Sequence, residues 1–139
     1  MMIPQYWRNE YYYNETVGAV NLSSTGAWLL YGANFSHNVT VYEDSIIRVH
    51  FHAALTRIGV AGWEWILFRI YQGAVVIGRG AASLTDPALG PYTEVSPRAV
   101  VTQNAAAGVV NYQVQFQTSA NGKWQKGQHG EFDIAIARD

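Results

Sequence analysis

From Ile47 onward the chain alternates. Ile47, Val49, Phe51, Ala53 and Leu55 are apolar, and Arg48, His50 and His52 between them are polar. Successive side chains of a strand point to opposite faces, so this segment reads as a strand half-buried against a core. The same period recurs where Val110, Tyr112, Val114 and Phe116 alternate with Asn111, Gln113, Gln115 and Gln117. It recurs again where Phe132, Ile134 and Ile136 alternate with Glu131, Asp133 and Ala135. Trp63 to Tyr71 is different. Ile66, Phe68 and Ile70 form one face, and Trp65, Leu67 and Tyr71 form the other, broken by Arg69. A strand apolar on both faces is covered on both sides.

Turn residues punctuate these runs. Gln72-Gly73 predicts a tight turn into Ala74–Gly80, a hairpin. Ala27–Tyr31 and Val39–Tyr42 are two shorter strand candidates. Residues 83–97 hold Pro87, Pro91 and Pro97 and read as a long loop leading to an irregular strand near Val95–Thr102. Asn104 to Gly108 reads as a turn, and Ser119 to Gly130 as a polar loop. No stretch carries a helical period. About eight to ten short strands with Gly and Pro turns predict an all-β fold, an antiparallel β-sandwich of the jelly-roll type. We assign it to residues 16–139. Residues 1–15 lack a clean period but hold Tyr6, Trp7, Tyr11, Tyr12 and Tyr13. That is too much aromatic surface for a segment left in water. It reads as an N-terminal docking arm that packs on a neighbour, the alternative being an arm folded back on its own domain.

Charge sharpens this picture. The 139 residues carry 9 Lys+Arg and 10 Asp+Glu, 14% charged, against the roughly 25% of an ordinary domain. Arg outnumbers Lys seven to two, with 9 Tyr and 5 Trp, a bias typical of interface cores. No Asp, Glu, Lys or Arg lies between Glu15 and Glu43, nor between Arg98 and Lys123. Together with the two-faced strand, these gaps predict segments that meet protein. Arg48, Arg79, Asp86, Lys123 and Lys126 are left to mark the wet surface. A net charge of -1 argues against nucleic-acid binding through phosphates. No apolar run is long enough for a membrane helix. With no Cys, disulfides and thiolate metal sites are excluded. The N-terminus lacks a secretory signal pattern, so the four Asn-x-Ser/Thr matches beginning at Asn14, Asn21, Asn34 and Asn38 read as turn chemistry rather than glycosylation sites.

Candidate chemistry is sparse. His50 and His52 are two apart on a strand and share a face, a spacing that can start a metal site. A third ligand would have to come from His37, His129 or Glu64. Glu131 and Asp133 share the outward face of the last strand, where acids ordinarily sit. No nucleophile or phosphate-loop motif is present, so no enzyme activity and no cofactor are expected. Trp124, between Lys123 and Gln125, is the candidate sugar-stacking aromatic.

Four pieces then stand in order: Ser24-Thr25-Gly26-Ala27-Trp28, Asp44-Ser45-Ile46-Ile47-Arg48-Val49, the segment Phe68 to Gly78, and Ala106-Ala107-Gly108 running into Val114-Gln115. This succession, a hairpin at Gly73 followed by an Ala-Gly hairpin into a Tyr/Val strand, resembles small trimeric jelly rolls of the tumour-necrosis-factor and complement-head type, above all those of phage and archaeal-virus particles. The resemblance implies a homotrimer without catalytic residues, packed through a neutral, aromatic sheet face. Trp63, Trp65, Leu67, Tyr71, Asn111, Gln113, Gln115 and Gln117 are assigned to that interface. It further implies a virion structural protein, made in the host cytoplasm, that decorates or completes a capsid, with the arm docked on other virion proteins. The alternative is a carbohydrate- or receptor-binding fibre knob or lectin-like module, whose partners would be surface glycans met through Trp124.

Overall fold

The computed structural model describes residues 6–16, 18, 20–22, 24, 26–58, 64–84, 93–119 and 124–138. Among them lie eleven strands: β1 (Tyr6–Glu15), β2 (Asn21–Leu22), β3 (Leu29–Leu30), β4 (Ser36–Val41), β5 (Ser45–Arg57), β6 (Glu64–Gln72), β7 (Val75–Leu84), β8 (Thr93–Val95), β9 (Arg98–Ala105), β10 (Gly108–Thr118) and β11 (Trp124–Arg138). A single 3-10 turn spans Ala33–Phe35. The first sheet runs β1-β11-β5-β8, with β2 on β11 and β9 on β5. The second runs β3-β10-β6-β7, with β4 on β10. The pairings are antiparallel, and the two sheets enclose one core. This is the jelly-roll sandwich that the alternation predicts.

The alternating positions face inward as read. Ile47, Val49, Phe51, Ala53 and Leu55 of β5 are fully buried. Ile66, Phe68 and Ile70 meet them from β6, Tyr112, Val114 and Phe116 from β10, and Phe132, Ile134 and Ile136 from β11. Phe51 and Phe68 pack ring to ring at 4.8 Å across the two sheets. The β6–β7 hairpin turns at Gly73, whose φ of 58° only glycine adopts without strain.

Three readings are corrected. Ala106 and Ala107 do not close a hairpin. β9 pairs with β5 and β10 with β6, so this turn carries the chain from one sheet to the other. The polar loop Ser119–Gly130 is, from Trp124 on, the first half of β11. Trp124 and Lys126 point inward and pair with Arg57 and Leu55 of β5.

The third correction concerns the N-terminal segment. Tyr6–Glu15 is the edge strand of the first sheet, antiparallel to β11 from Tyr6↔Arg138 to Glu15↔Gly130. Tyr11 lies edge-on to Phe132, and Tyr13 edge-on to Phe35. The Tyr11 hydroxyl donates to the Asn34 carbonyl, and its ring stacks on His37 of β4 at 4.0 Å. The aromatics therefore close the open side of the sandwich between β1 and β4. Residues 1–5 lie outside the described residues. Lys126, expected in water, is buried beside this strand. Its ammonium lies 3.2 Å from Glu15 Oε1 and 4.1 Å from the centre of the Tyr31 ring. Ion pairing and the ring's negative face together offset the lost hydration.

Candidate functional site

Two outer faces remain. On the second sheet, β10 presents Asn111, Gln113, Gln115 and Gln117, all half-buried, beside Trp65, Leu67 and Tyr71 of β6. The register sets Gln113 against Tyr71 and Gln117 against Leu67. All the assigned interface residues within the described chain thus share one face; Trp63 lies outside the described residues. The amides form a ladder. Gln115 Nε2 donates to Gln113 Oε1, and Gln113 Nε2 to Asn111 Oδ1. Asn111 Nδ2 reaches Ser36 Oγ and Asn38 Oδ1 of β4. The polar groups of this face largely satisfy one another, so covering it costs little lost hydrogen bonding. Arg69 lies with its guanidinium 4.0 Å over the Trp28 ring. Its cross-strand partner Arg79 is exposed.

The outer face of the first sheet is different. Glu131 and His52 are register partners on β11 and β5, and Asp133 faces His50 in the same way. His50 Nδ1 lies 3.2 Å from Asp133 Oδ2 and 3.9 Å from Glu131 Oε2. His129 Nε2 lies 3.1 Å from Glu131 Oε1. The His52 and His129 rings meet at 5.3 Å, inclined by 61°. His50 and His52 do share a face, and His129 supplies the third imidazole. The two other considered ligands do not take part. His37 is stacked on Tyr11 at the side of the sandwich, and Glu64 is buried at the start of β6.

His129 stands two residues before Glu131 on β11 and shares its face by alternation. Between Lys126 and Gly130, three residues of β11 stand opposite Ala54 alone on β5. The bulge adds two residues, an even number, so the alternation of β11 stays in step across it. Gly127 makes it passable, since a Cβ there would lie 2.9 Å from the Ala54 carbonyl oxygen. The electrostatics follow from partial burial. Desolvation, reinforced by Arg98 and His129, pushes the His52 pKa down. Desolvation pushes the Asp133 carboxyl up, although its bond to His50 works in the opposite direction. Neutral imidazole is the form that donates a lone pair to a metal. Next to the cluster, Asn9, Tyr12, Arg48, His50, Val100 and Asp133 line a shallow hollow of about 360 Å³.

The remaining predicted positions divide. Trp7 packs on the outer face with Arg48 4.7 Å from its ring centre, and Tyr12 is 58% exposed. Trp124 is fully buried and offers no platform to a sugar. An indole fills the end of the core more favourably than it covers a wet loop.

No protein-family model matches the chain, and no curated protein matches it in sequence. Its fold is similar to that of a solved structure described as Eiger TNF from S. frugiperda, with a TM-score of 0.55 and 11% identity, over 99% of this chain and 95% of that one. The chain is therefore a jelly roll of the tumour-necrosis-factor type in fold.

Proposed function

We propose that this chain is a structural subunit, not an enzyme, that self-associates through the outer face of the second sheet. The three-fold form and the virion setting are those implied by the resemblance of its motif succession to particle proteins. One observation carries the reading: charge-poor strands from all three segments, β3 and β4, β10, and β6, meet on this face, while β2 and β9 of the same segments lie in the first sheet. Of the strands that build this face, β3, β4 and β10 contain no Asp, Glu, Lys or Arg. In β6 there are two charges, Glu64, which is buried, and Arg69, which lies on Trp28, and β7 at the edge of the sheet adds the exposed Arg79. A partner that covers this face gains apolar burial at about 25 cal/mol per Å² and desolvates almost no charge. In the virion, the outward Trp7 and Tyr12 of β1 are available, among the described residues, for contact with the particle shell.

Light scattering at micromolar concentration tests the association. The wild-type chain is expected to run as a trimer. Leu67→Arg, in the middle of the proposed contact, is expected to give monomers, and Val100→Arg on the opposite face to leave the trimer intact. A monomeric wild type would overturn the reading. A trimer dissociated by Val100→Arg and not by Leu67→Arg would move the interface to the first sheet. For the virion role, mass spectrometry of particles purified from the native source should find the chain at fixed stoichiometry. Its absence from them would refute that role.

A further inference from the structure

We propose that the outer face of the first sheet binds one divalent transition-metal ion of the zinc type, held by His52, His129 and Glu131. The donor atoms of these three half-buried residues all lie within 4.8 Å of one another. A tetrahedral zinc with ligands at about 2.0–2.1 Å needs donors about 3.3 Å apart. The separation of His129 Nε2 and Glu131 Oε1, 3.1 Å, already matches one edge of that tetrahedron. The His52 and His129 rings are already in contact, their centres 5.3 Å apart. Two imidazoles and one carboxylate suit zinc and its neighbours in the transition series, whereas magnesium and calcium favour all-oxygen sites. The fourth position falls to water.

The surroundings are built as a metal site needs them. Two rigid paired strands present His52 and Glu131 as cross-strand partners, and His129 stands two residues before Glu131 on the same face of β11. The second carboxylate oxygen of Glu131 faces His50, which is held in turn by Asp133. Such outer contacts orient a ligating carboxylate and tune its charge. A plain ion-pair network accounts for less. It explains His50 and His129, each close to a carboxylate, but among the described residues His52 has no ion pair, and its cross-strand neighbour on β9 is Arg98.

The test is metal retention. The full chain is stripped with chelator, loaded with zinc, dialysed, and its zinc counted by elemental mass spectrometry. One ion per chain is expected in the wild type and in His37→Ala, which lies outside the cluster. His129→Ala and the near-isosteric Glu131→Gln should retain none, with unchanged far-ultraviolet circular dichroism. His50→Ala should weaken zinc binding by roughly 10–100-fold. Cobalt(II) loading should give the intense visible bands of tetrahedral coordination, and His52→Ala should lose them. A wild type that retains no zinc would overturn the site, as would cluster variants that retain as much as wild type. The site lies on the sheet opposite the proposed self-contact, so either can fail without the other.

Discussion

Tyr31 shows how much one side chain organises. It lies 3% exposed at the meeting point of four phenylalanines, with ring centres 4.6 Å from Phe35, 5.3 Å from Phe51, 5.5 Å from Phe68 and 6.2 Å from Phe116, all near perpendicular. Edge-to-face contacts of this kind add to simple burial. Burial in this cluster, and then the Glu15 carboxylate, push the Tyr31 hydroxyl far above its ordinary value of 10.0. Tyr11 and Tyr112 are shifted up as well, again chiefly by burial. An acid whose folded pKa is raised stays protonated in the native state while the unfolded chain ionises. Its stabilising contribution is therefore whole below pH 10.0 and is lost as pH rises above it. Alkaline unfolding should accordingly begin above about pH 10, with tyrosinate absorbance and loss of circular dichroism rising together. Tyr31→Phe should move that midpoint to higher pH. An unchanged midpoint would show that Tyr31 does not govern the alkaline limit.

At the scale of elements, the strands that alternate cleanly between apolar and polar residues were legible, and β1 and β11 were not. β5, β6 and β10 put every second residue into the core, so the pattern and the fold coincide. In β1 the register shifts between Asn9 and Tyr11, and tyrosines occupy both faces, so no period survives in the sequence. In β11 an inward Lys126 and the bulge after it resemble a polar loop. What made lysine legal there is Glu15, more than a hundred residues away in the chain, a pairing that no local reading contains. His50 and His52 were legible from their spacing of two and His129 could be named as a third ligand, but its place beside them depends on the pairing of β11 with β5. The Glu15–Lys126 pair also clamps β1 onto β11. Lys126→Met leaves a nearly buried carboxylate without its cation and should lower stability by about 3 kcal/mol. Adding Glu15→Gln should restore most of that loss. Urea unfolding of the two variants measures both effects. If the single variant matches wild type, the clamp has no energetic role. By the same reasoning, removing residues 6–15 strips an integral edge strand instead of freeing an appendage.

At the scale of the molecule, the charge deficit becomes a difference between two faces. The first sheet's outer face gathers Arg48, His50, His52, Arg98, His129, Glu131 and Asp133, while the second sheet's outer face is built mainly from amides, tryptophans and aliphatic side chains. The two faces would respond differently to salt. Coulomb contacts across an interface weaken as the screening length falls from about 10 Å at 0.1 M to about 3 Å at 1 M. Apolar burial is not screened, and strongly excluded salts such as sulfate enhance it. Self-association through the second sheet should therefore hold its dissociation constant between about 0.1 M and about 1 M sodium chloride, and should tighten in sulfate. Sedimentation velocity across a dilution series at each salt measures it. A steep weakening with sodium chloride would mean that charged groups meet at the contact. It would then place the interface on the first sheet, where Arg48 and Arg98 lie among Glu131 and Asp133, and the histidine cluster would be shared between subunits.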